Sequence, residues 1–141
     1  MKKRLLYLIV LIQIGAAGSV SVYGQSMLDK LTGKTWEFEH PAGKQEYEIK
    51  DRYSNSNRTS AIYARGKELS EYQPFYLSDT VDARFDDSKV GKNRNGKYLI
   101  IKGEPGNEVG SFAVFEILKL NSTEFVIKSL RSNSVFRHRA V

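Results

Sequence analysis

Hydrophobic and polar positions alternate with period two through much of the chain after residue 24. In 46–53, Tyr47, Ile49 and Tyr53 share one face with Asp51, while Glu46, Glu48, Lys50 and Arg52 take the other. In 36–40, Trp36, Phe38 and His40 oppose Glu37 and Glu39. Such alternation describes strands of a sheet with one dry and one wet face. Segments 97–102, 112–120, 125–130 and 135–140 complete a C-terminal meander. The pattern breaks in 112–120, where Phe115 and Ile117 conflict with Val114 and Leu118, which predicts a bulge or two-sided burial.

Turn signals separate these segments. They stand at Pro41-Ala42-Gly43, Ser54-Asn55-Ser56-Asn57, Arg65-Gly66, Asn95-Gly96, Pro105-Gly106-Asn107, Asn121-Ser122 and Ser132-Asn133. Asn95-Gly96 is the strongest hairpin cue, because a type I′ turn needs positive φ at both central residues. Only 27–31 reads as helical, with Ser26 as N-cap and Gly33 as stop. The polar, charged stretch 82–95 is expected to be the least ordered. About eight short strands joined by short turns predict an all-β protein. An antiparallel up-and-down β-barrel, preceded by a short N-terminal helical turn, removes the open sheet edges. A sandwich is the competing solution.

Residues 1–24 follow a different pattern. Met1-Lys2-Lys3-Arg4 is basic, 5–14 is almost unbroken apolar sequence, and 15–24 drifts into small residues before Gln25. This order predicts a signal peptide cleaved near Gly24-Gln25, leaving 25–141 as one domain in the periplasm or secreted. The apolar run is too short to span a bilayer, so no membrane-spanning segment is expected. Three of the 22 Lys+Arg and none of the 16 Asp+Glu lie in 1–24, so the formal charge of +6 falls to +3 in the mature chain. That is an ordinary solubility value and not a nucleic-acid footprint. The chain has no cysteine, which removes disulfides, thiol catalysis and Cys-based zinc sites.

At Leu31-Thr32-Gly33-Lys34-Thr35-Trp36 the chain resembles the small bacterial secreted lipocalin-like (calycin-type) β-barrel family, in which a helical turn leads through Gly-x-Trp or, as here, Gly-x-x-Trp into the first strand. Residues 115–128 (Phe-Glu-Ile-Leu-Lys-Leu-Asn-Ser-Thr-Glu-Phe-Val-Ile-Lys) resemble a late hairpin of the same family. The resemblance implies a barrel that binds apolar or amphipathic small molecules rather than an enzyme. It also implies that Trp36 plugs the closed end and that Arg131, Arg137 or Arg139 packs across its ring.

The candidate ligand-binding set is Trp36, Phe38, His40, Tyr47, Ile49 and Tyr53, the inner face of the first two strands. His40 is either a polar anchor at a cavity mouth or a strand-end imidazole satisfied by backbone or water. His138, between Arg137 and Arg139, is expected to disfavour its protonated form. Asp79, Asp82, Asp86 and Asp87 lack the spacing of a calcium loop, and no metal site or cofactor is implied. Lys89, Lys92, Arg94 and Lys97 form a basic ribbon, a surface-binding candidate that also reads as protection of exposed strands. No phosphate loop, nucleophile elbow or zincin helix is present, and His40 with Asp51 is the only acid–base pair on offer.

These features support a non-enzymatic exported protein binding a small hydrophobic ligand inside the barrel. The alternative is an envelope protein-binding module, an inhibitor or immunity protein, acting through outer surface and loops. No nucleic-acid partner is expected. The interior is either hollow or filled by its own aromatics.

Overall fold

Strand alternation closes into a ring. The computed structural model describes residues 25–41, 43, 46–103 and 111–141; the signal-peptide reading and the turn at Pro105 fall outside them. Helix α1 (Met27–Thr32) precedes eight strands: β1 (Thr35–Glu39), β2 (Tyr47–Tyr53), β3 (Asn57–Ala64), β4 (Lys67–Ser78), β5 (Tyr98–Lys102), β6 (Phe112–Leu120), β7 (Glu124–Ser129) and β8 (Val135–Ala140). Each pairs antiparallel with the next, and β8 returns to β1 with Phe38 opposite His138 and Glu37 opposite Arg139, closing an up-and-down barrel. A ring of eight strands has no free outer strand and an interior wide enough for packed side chains or one small ligand.

Local chemistry explains the joints. Ser26 caps α1 by accepting from the Asp29 amide at 3.1 Å, and Asp29 returns the bond to the Ser26 amide at 3.3 Å, a reciprocal capping box. Arg65 (φ 53°) and Gly66 (φ 76°) link β3 to β4 through a two-residue turn with positive φ at both positions. That is the hairpin geometry the sequence suggested for Asn95-Gly96. The expected irregularity in β6 is a register shift between Ile117 and Lys119.

Asn95-Gly96 does a different job. Gly96 lies flat against β4, where a Cβ would stand 2.4 Å from the Ser78 backbone nitrogen, so only glycine fits. Asn95 Oδ1 accepts from the Met27 amide at 3.0 Å, and the Arg94 carbonyl accepts from the Leu28 amide at 2.9 Å. The segment is a strap that fastens α1 to the barrel end. The rest of the β4–β5 connection is also anchored, on the outer face of β4. The Tyr76 hydroxyl donates to Asp82 at 2.7 Å and accepts from the Asp86 amide at 3.2 Å. Lys89 Nζ meets the same Asp82 carboxylate at 2.9 Å. Burial, with the bond to Asp82 second, pushes the Tyr76 hydroxyl up to about 12.

The core gathers at the end that α1 covers. Leu28 and Leu31 of α1 pack with Trp36, Tyr53, Phe75, Leu77, Leu99, Ile101, Phe125 and Ile127. Among the described residues, no helix is long and apolar enough to cross a membrane.

Candidate functional site

A ladder of rings climbs the barrel from the filled end to the open one. Trp36 meets Phe125 at 5.5 Å between centroids, Phe125 meets His138 at 5.4 Å, His138 meets Phe38 at 5.8 Å, and Phe38 meets Phe136 at 6.2 Å. Below His138, Trp36, Phe75, Leu77, Leu99 and Phe125 pack together fully buried. Above it lies a cavity of about 370 Å³, walled by Phe38, Tyr47, Ile49, Ile62, Phe115, Ile127 and Phe136. Asp51, Arg58, Ser60, Glu71 and His138 supply its polar lining. This volume lies at the lower end of the range for small-molecule sites, and apolar walls with a few convergent polar groups are the usual pattern there.

The register places the polar groups together. Asp51 of β2 stands opposite Ser60 of β3, and Ser60 stands opposite Glu71 of β4. Arg58 is opposite both Tyr53 and Gln73. Its Nε donates to Gln73 Oε1 at 3.0 Å, joined by Nη2, while Gln73 Nε2 donates to the Gly103 carbonyl at 2.9 Å. The guanidinium is thus held from behind, leaving Nη1 at 4.0 Å from Asp51 Oδ2, too long for a hydrogen bond.

Asp51 and His138 are both almost fully buried, at 4% and 6% exposure. His138 Nδ1 sits 3.2 Å from the Phe125 carbonyl, which only accepts, so Nδ1 carries the proton and donates it. Burial holds His138 below its ordinary value, outweighing the opposing pull of Asp51, and the ring is neutral at pH 7. Nε2 is then a bare acceptor, 3.8 Å from Asp51 Oδ2. Asp51 Oδ1 and the Tyr53 hydroxyl are buried with no hydrogen-bond partner. Burial, then the Asp51 charge, raises the Tyr53 hydroxyl well above the usual phenol range.

The structure divides the residues singled out from the sequence. Phe38, Tyr47 and Ile49 line the cavity. Trp36 and Tyr53 lie beneath it in the packed core, Trp36 with Nε1 donating to the Leu31 carbonyl at 3.1 Å. His40 stands at the rim, its ring 6.2 Å from Phe38 and 6.4 Å from Tyr47. His40 and Asp51 do not form a pair; the imidazole that faces Asp51 is His138. Arg137 and Arg139 point outward on β8, Arg139 against Glu37 at 3.1 Å, and Arg131 lies in the β7–β8 turn. In the basic ribbon Lys89 pairs with Asp82, Arg94 with Asp29 and Lys97 with Glu116, while Lys92 is exposed. The ribbon is interleaved with carboxylates and does not present a uniform positive face.

Of the lining, sequence reasoning left out the polar Arg58, Ser60, Glu71 and His138 and the apolar Ile62, Phe115, Ile127 and Phe136. For the residues of β3 and β8 the signal was period-two alternation, which sets Arg58, Ser60 and Ile62 on one face and Phe136 and His138 on another. A broader hollow of about 540 Å³ lies between Glu46, Glu48, Arg65, Lys67 and Glu68 at the β3–β4 lip. None of its lining residues is buried, so it lacks the desolvated groups that the barrel cavity has. Among the described residues, no group of three or more His, Cys, Asp or Glu is arranged to hold a metal ion. No family model matches the chain, and no curated protein or solved structure is similar enough to it to count as a match.

Proposed function

We propose that this chain is an exported, non-enzymatic, lipocalin-like barrel that holds a small amphipathic ligand in the open half of its interior. The observation that carries the reading is the cavity of about 370 Å³ set above a packed core, with seven apolar walls and a buried polar floor. A barrel built only for stability gains nothing from leaving that space, because unfilled interior volume costs contacts. Nor does it gain from burying a carboxylate 3.8 Å from a neutral imidazole with no hydrogen bond between them. Outside, β1, β2 and β8 present Glu37, Glu39, Glu48, Lys50, Arg52, Arg137 and Arg139, which suits a surface in water rather than in lipid. The basic start and apolar run of 1–24 support export.

Isoleucine methyl NMR tests this directly. An organic extract of the source cell envelope, added to protein, shifts the methyls of Ile49, Ile62 and Ile127, which line the cavity, and leaves Ile100, on the opposite strand face from Ile101, in place. Unchanged cavity methyls, or shifts confined to outward residues, contradict the proposal.

A further inference from the structure

The ligand's chemical class follows from what the cavity floor leaves unsatisfied, and the argument rests on the ligand-binding reading above. The Phe125 carbonyl fixes the proton of His138 on Nδ1, so Nε2 presents a lone pair. Asp51 Oδ2 presents another 3.8 Å away. Two acceptors at that separation, both on nearly buried side chains, have no proton between them. Arg58 does not supply one, since two of its nitrogens are engaged by Gln73 and the third stays 4.0 Å from Asp51. The Tyr53 hydroxyl, itself unpartnered, donates to neither atom and belongs to the packed core, so the missing element is a donor that enters from the cavity.

Charge narrows the choice. The cavity holds the carboxylates of Asp51 and Glu71 against the single guanidinium of Arg58, with a neutral imidazole, so its formal balance is negative. Glu71 forms no ion pair among the described residues that offsets it. A carboxylate ligand would face two like charges in a partly desolvated site, at a cost that one cation does not cancel. A neutral hydroxyl would satisfy one acceptor only. An ammonium has up to three donors and a compensating charge, and aromatic walls attract a cation further.

We infer that the barrel selects a cationic amine, a primary or secondary ammonium on a small apolar body, with its N–H groups donating to Asp51 Oδ2 and His138 Nε2.

Three probes of one shape test this by calorimetry at pH 7 in low salt: 2-phenylethylamine, 2-phenylethanol and phenylacetate. The amine is expected to bind at least about tenfold more tightly than the alcohol, the lower end of the worth of a buried charge-assisted hydrogen bond. Phenylacetate is expected to bind weakest. Asp51→Asn keeps the shape and removes the charge, so it should abolish the amine's advantage over 2-phenylethanol. The comparison on unaltered protein stands whether or not that variant folds. Alcohol or acid binding as tightly as the amine overturns the amine inference and leaves the cavity reading intact. Binding of none of the three at millimolar concentration counts against both.

Discussion

His138 and Asp51 face each other across the floor of the barrel, Nε2 and Oδ2 3.8 Å apart, where packed core ends and open cavity begins. The pair marks the boundary because Phe125 below fixes one side of the imidazole through its carbonyl. The other side is left to whatever enters from above. In the proposed reading ligand affinity rests on these two side chains, and the pH dependence of stability rests on His138.

Stability should rise with pH through the titration of His138. Its folded value lies below the ordinary 6.5, so between the two values the unfolded chain binds more protons. The contribution is present above about 6.5 and is lost as pH falls toward the folded value. Urea midpoints should increase from pH 5.5 to 7.5, and His138→Gln should flatten that slope. An unchanged slope in the variant would show that the imidazole is not buried neutral.

Trp36 fastens helix to barrel. Trp36→Phe keeps most of the packing but leaves the Leu31 carbonyl without its donor, which should cost about 1–3 kcal/mol in denaturant unfolding. Trp36→Ala should cost about 3–5 kcal/mol.

The two glycines at opposite ends of β4 should respond differently. Gly96→Ala drives a Cβ into the Ser78 backbone and should cost about 3 kcal/mol, at the upper end for single substitutions. Gly66→Ala meets nothing within 4 Å but has φ +76°, so only the backbone conformation is penalised, by about 1 kcal/mol. Thermal or urea unfolding of both variants checks the order.

Tyr76→Phe removes the hydroxyl that joins Asp82 to the Asp86 amide. Hydrogen exchange at the Asp86 amide should accelerate at least about fivefold, for a loss of about 1 kcal/mol, while amides of β5 and β6 keep their protection. Equal acceleration in those strands would mean that the connection is not a separate unit.

The barrel was largely legible because period two is a strong signal wherever one face is dry. Trp36–Phe38 and Tyr47–Ile49–Asp51–Tyr53 declared their inner faces, and Ser26 with Gly33 bounded the helix. The floor of the cavity was harder to read, since polar residues on an inner face look like solvent-facing ones until registers are known. Arg58, Ser60 and Glu71 meet only because β2, β3 and β4 pair in one register. The neutral state of His138 was anticipated, but from the wrong neighbours. Arg137 and Arg139 point outward, and burial is the leading cause. Asn95-Gly96 misled because the same dipeptide serves a tight turn and a close backbone approach. The expectation of a loosely ordered 82–95 missed Tyr76, whose hydroxyl reaches outward from a strand to gather the acidic residues.

Native mass spectrometry of the protein, purified gently from its source cells, tests the central claim most directly. The account predicts a reproducible extra mass of small-molecule size, lost on denaturation and absent from Ile62→Trp, in which the indole occupies the cavity. A clean mass in every preparation of the unaltered protein, or a shift caused only by a bound protein, contradicts it.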